Sequence, residues 1–134
     1  MKAKIIAIIG GFATLMVTNG AIYGGLLADH FNEIVSANPD IMHQSMAFVM
    51  MAHFLQTLLL VWLFPRLGVD SASEGFKTSA LLHFLMIGTF NCFILATFTL
   101  FSPMQMCVDV GINMLTGGAG GAAVAVLLSK FSDA

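Results

Sequence analysis

Charge is what this chain has least of. Only 9% of its 134 residues are Asp, Glu, Lys or Arg, against about a quarter in soluble domains. Hydrophobic residues make up 58%. A single domain of this length cannot bury that much apolar surface in water, so the lipid bilayer is the expected solvent. The five basic residues form no run and the net charge is −2, so nucleic-acid binding has no support. Cysteine is nearly absent. Cys92 and Cys107 fall in different apolar segments and make neither a disulfide framework nor a CxxC pair. Alternating polarity, the signature of strands, is missing, and the apolar runs are too long for barrel strands. There is no linker, no low-complexity segment and no internal repeat of the kind that builds inverted-repeat transporters.

What is present is four apolar stretches of span length, at about residues 5–28, 41–64, 78–101 and 104–128. Pro65, Arg66 and Gly68 stop the second, and Ser102 and Pro103 stop the third. The start, Met1-Lys2-Ala3-Lys4 before an apolar run, resembles a signal peptide. The run continues past Gly10 and Gly11 to Leu27 with no small-x-small site, so it reads as a retained span. Lys2, Lys4, Arg66, Lys77 and Lys130 all fall on one side of a four-span topology. Basic residues mark the cytoplasmic side. The loop at residues 29–40 carries Asp29, Glu33 and Asp40 without Lys or Arg, as expected outside. The expected fold is all-α: one transmembrane domain, an antiparallel four-helix bundle with both termini cytoplasmic, in a bacterial inner membrane.

The polar residues inside these runs are the candidates for function. Gln105, Asp109, Asn113, Gly117, Gly121, Ala125 and Ser129 recur every four residues along the last segment. On a helix they form one slowly winding ridge, polar at first and then almost without side chains. Counting depth from each membrane edge puts Asn19, His53, Gln56, Asn91 and Asn113 near the midplane, one or more on every helix. Such a layer is either a site for a small polar ligand or ion, or structural glue between helices. Asp109 is the only acid well inside a span and lies about two turns from the outer surface. It must be paired, hydrated or protonated there. Tyr23, His43 and Met46 are its neighbours in depth, and a bond from Tyr23 or His43 to Asp109 would line a polar pocket open to the outside.

Other chemistry is sparse. No Ser-His-Asp set at matched depth, HExxH or phosphate loop occurs, and Cys107 and Asp109 face apart on their helix. The chain reads as a non-enzyme. Met46, Met50 and Met51 form the only thioether cluster, which reads as bulk rather than a soft-metal site. His30 beside Asp29 and Glu33 lacks a fourth ligand, and His53 and His83 differ in depth, so no metal centre is expected. No cofactor is expected either; haem on His53 would have to bind without a CxxCH attachment. Two GxxxG motifs, Gly20 with Gly24 and Gly117 with Gly121, suit close helix packing. They lie at different depths, so one packs inside the bundle and the other faces a second subunit, unless both are intramolecular.

Asn19-Gly20-Ala21-Ile22-Tyr23 near the end of the first span, with Val108-Asp109-Val110-Gly111 and a Gly/Ala-rich tail in the last, resembles a family of small four-span bacterial membrane proteins. That family is classed as a domain of unknown function. Where it has Trp-Tyr-x-Pro, this chain has Ile22-Tyr23-Gly24-Gly25. The resemblance implies the four-helix topology and marks Tyr23 and Asp109, and it supplies no activity. Three readings follow. The first is an intramembrane site that binds or conducts a small polar solute, ion or proton, centred on Asp109, Asn113 and His53. The second is an accessory or assembly subunit docked into a larger membrane complex, whereas a homo-oligomer would suit the first. The third is a haem or quinone protein using His53.

Overall fold

The structure, a computed structural model, describes residues 1–42 and 45–131. These residues are helical throughout, joined by short turns. Helix α1 (Lys2–Ala21) passes without a break into a π turn, Ile22–Leu26. The Leu27 amide closes that turn by donating to the Ile22 carbonyl at 2.8 Å, one residue further back than in an α-helix. Then come α2 (Ala28–Ala37), α3 (Met46–Leu67), α4 (Ala72–Thr97) and α5 (Pro103–Phe131). Four helices, α1 extended by the π turn, α3, α4 and α5, are long and apolar enough to cross a membrane.

The boundaries differ from the sequence expectation for local reasons. Residues 29–40 were expected as a loop, yet most of them form α2. Phe31, Ile34 and Val35 share one half-buried face while Asp29, Asn32, Glu33 and Ser36 are exposed, which is the pattern of a short amphipathic helix. Helix α3 runs through Pro65, where only one backbone hydrogen bond is forfeited. It ends at Gly68, whose φ of 69° suits a residue without Cβ. Helix α4 starts early because the Ser71 hydroxyl accepts the Glu74 amide at 3.3 Å, an N-cap. It stops at Thr97, with Phe98 already extended at φ −127° and ψ 143°. Ser102 and Gln105 then cap each other: the Ser102 amide donates to Gln105 Oε1 at 2.7 Å, and the Gln105 amide donates to Ser102 Oγ at 3.2 Å. With Pro103 at the first helical position, this capping box starts α5.

Helix α5 is the hub. It packs extensively on α4 and on α1, and more lightly on α3, while no substantial packing joins α3 to α4. The apolar core lies towards one end, where Leu60, Val61 and Phe64 of α3 meet Ala7 of α1 and Val124, Ala125 and Leu128 of α5. At the other end, residues 46–52 of α3 are exposed. The bundle is a wedge, closed at the end of this core and open at the end that carries α2.

The small-residue half of the α5 ridge explains its tight seat on α4. A Cβ added at Gly121 would collide with Ser79 Cβ and the Gly75 carbonyl, and one added at Gly117 would collide with the His83 ring. Ser79 Oγ crosses the seam to donate to the Gly117 carbonyl at 2.7 Å. His83 Nδ1 bonds to the Ser79 carbonyl at 2.8 Å, while its Nε2 is buried with no hydrogen-bond partner among the described residues. The other motif behaves differently. Among the described residues nothing lies within 4 Å of a Cβ added at Gly20 or Gly24. Gly117 and Gly121 thus pack within the chain, while the described residues leave the face of Gly20 and Gly24 open.

Candidate functional site

The open end of the wedge holds a cavity of about 760 Å³, walled by α1, the π turn, α2, α3, α4 and α5. Asn19, Tyr23, His53, Gln56, Asn91, Asp109 and Asn113 all line it. His43, the remaining site residue expected from the sequence, lies outside the described residues.

Asp109 is the focus. The Tyr23 hydroxyl donates to its Oδ1 at 2.5 Å, Asn113 Nδ2 donates to Oδ1 at 3.2 Å, and Asn91 Nδ2 donates to Oδ2 at 2.9 Å. Asn113 Nδ2 also reaches the Tyr23 oxygen at 3.1 Å and the Asp109 carbonyl at 2.9 Å. Donors from α4, α5 and the π turn thus converge on one carboxylate. The turn sets Tyr23 in place at the end of α1, and Phe31 of α2 backs it edge to face at 5.3 Å between ring centroids. Helix α2 is itself fastened to the start of α5 by a 3.2 Å contact between His30 Nε2 and Gln105 Nε2.

The expected single polar layer resolves into three groups. The first is the Asp109 cluster. In the second, Thr116 Oγ1 donates to Asn19 Oδ1 at 3.4 Å, and Asn19 Nδ2 donates to the Leu15 carbonyl at 3.1 Å. In the third, His53 Nδ1 bonds to Gln56 Oε1 at 3.0 Å. Asn91 was expected deeper than Asp109, and the structure places them together. Asn91 lies six residues before the end of α4 and Asp109 six residues after the start of α5, so both sit about 9 Å from the shared turn. The sequence reading ran the third helix to Phe101 and pushed Asn91 inward.

Sequence reasoning missed Phe31 as a wall and Thr116 as the partner of Asn19. The spacing of Phe31, Ile34 and Val35 carried the signal for the first. Among the described residues no group of three or more His, Cys, Asp or Glu is placed to hold a metal ion. Cys92 and Cys107 are both exposed. Chemically, the site is a carboxylate held by neutral donors in a largely apolar chamber, which is an arrangement for binding. Comparison with protein-family models, curated proteins and solved structures finds no match.

Proposed function

We propose that this chain is a multi-pass protein of a bacterial inner membrane that binds or conducts a small polar solute, ion or proton at the Asp109 cavity. Helices α1, α3, α4 and α5 serve as spans. Both termini and the five basic residues lie on the cytoplasmic side, so the cavity mouth and α2 face outward. The observation that carries the reading is the convergence of Tyr23, Asn91 and Asn113 on one intramembrane carboxylate at the wall of a ligand-sized cavity. An acid at this depth is costly unless it has a use. No catalytic step is assigned to it. The test is flux of protons or small solutes into liposomes. A pH-sensitive flux lost in Asp109→Asn, with helical content kept, supports the reading; an unchanged flux in the variant refutes it.

A second reading has its own observation. Among the described residues nothing covers the Gly20 and Gly24 ridge or residues 46–52 of α3, as expected of an accessory subunit whose partner helix covers them. Gly20→Leu breaking a native assembly, with no flux detectable from the wild-type chain, would favour this second reading.

A further inference from the structure

We infer that the cavity takes a small organic cation, an amine or quaternary ammonium group with an apolar body, and that the Asp109 carboxylate is its counter-ion. This rests on the reading of the cavity as a ligand site and names the class of ligand.

The hydrogen-bond polarity around Asp109 is the first argument. Among the described residues every contact to its two side-chain oxygens comes from a neutral phenol or amide group and none from a cation. These donors are a phenol and two amides. They orient the carboxylate without cancelling its charge. Of about four lone-pair sites on a carboxylate, the described residues use two at Oδ1 and one at Oδ2, which leaves Oδ2 able to accept from a ligand.

The distribution of charge is the second. Lys2 and Lys4 begin α1, Arg66 ends α3, Lys77 lies near the start of α4 and Lys130 ends α5, all at the closed end. The open end carries Asp29 and Glu33 on α2 and Asp40 just beyond it. A cleft framed by one sign of charge concentrates ligands of the other sign.

The walls are the third. Tyr23, Phe31, Phe48 and Phe90 line the cavity together with Met16 and Met46. Aromatic faces attract cations, quaternary ammonium groups above all, and the apolar remainder suits the body of an organic molecule. A hard inorganic cation fits poorly. It requires six or more oxygen ligands at short range, whereas among the described residues the side chains bonded to the carboxylate are those of Tyr23, Asn91 and Asn113. A volume of about 760 Å³ is that of a small-molecule site, not a cage for a bare ion.

The test is isothermal titration of the purified full-length chain with choline and with its neutral isostere 3,3-dimethyl-1-butanol. Choline binding at least about tenfold tighter than the alcohol is the expected result. Asp109→Asn should erase that preference. Phe31→Ala, altered on α2 rather than in a long helix, should weaken choline several-fold and weaken the alcohol less, because both lose apolar contact and choline alone loses attraction to the ring face. The wild-type comparison stands whether or not the Asp109 variant folds. Equal binding of the two probes, or binding of neither, overturns the inference. If the liposome flux still depends on Asp109 in that event, the cavity reading survives alone. If the flux is also indifferent to Asp109, both fall.

Discussion

Tyr23 is the residue on which the site most depends after Asp109. Its hydroxyl donates to the carboxylate and accepts from Asn113, so Tyr23→Phe removes two contacts while keeping the ring. We expect a loss of about 1–2 kcal/mol of stability, measured by reversible unfolding in mixed micelles. Asn113→Ala in the same assay should cost less in the Tyr23→Phe background than alone, since the two share a network. Tyr23 and Asp109 were legible as neighbours, because each lies a similar number of residues from the same end of its span. Asn91 was not. Its depth hangs on where α4 stops, and the apolar run Phe98-Thr99-Leu100-Phe101 gives no sign that the backbone is already extended there.

Among the elements, the seam between α4 and α5 and the start of α5 allow the sharpest tests. Gly121→Ala places a methyl against Ser79 and the backbone of Gly75, and the helices must separate to admit it. The expected cost is about 1–3 kcal/mol, read from thermal unfolding. Gly20→Ala meets nothing within 4 Å. It should be neutral or stabilise α1 by up to about 1 kcal/mol through reduced backbone entropy. A destabilised oligomer in that variant, with an unaffected monomer, would reveal a partner on this face. Ser102→Ala deletes one half of the capping box and should cost about 0.5–2 kcal/mol, with faster amide exchange confined to the first turn of α5. The small-residue ridge of α5 was legible as a packing surface. Its partner Gly75-x-x-x-Ser79-x-x-x-His83 was harder to see, because only one of its three positions is glycine. Helix α2 was hidden by its polarity: charged residues between two apolar runs read as a loop until the spacing of Phe31, Ile34 and Val35 is counted.

For the whole molecule, the four long apolar helices were plain from composition alone, and their unequal packing was not. Nothing in the hydropathy pattern says that α3 and α4 diverge. That depends on where Leu60, Val61 and Phe64 find Val124 and Leu128, a contact between distant segments. The proposed topology is checked by labelling Asn38→Cys in intact cells with a membrane-impermeant thiol reagent. Labelling from outside is expected, and labelling only after lysis would invert the orientation. The wedge also sets how the chamber is sized. Among the described residues helix α3 is packed as far as Thr57 and His53, both buried, and is exposed over residues 46–52, a free arm of about seven residues and about 10 Å. A tilt of about 10° at His53 would carry Met46 by about 2 Å. If that arm tilts, the width of the chamber mouth follows one angle rather than many rotamers, and guests of different girth would fit without unpacking the core around Leu60.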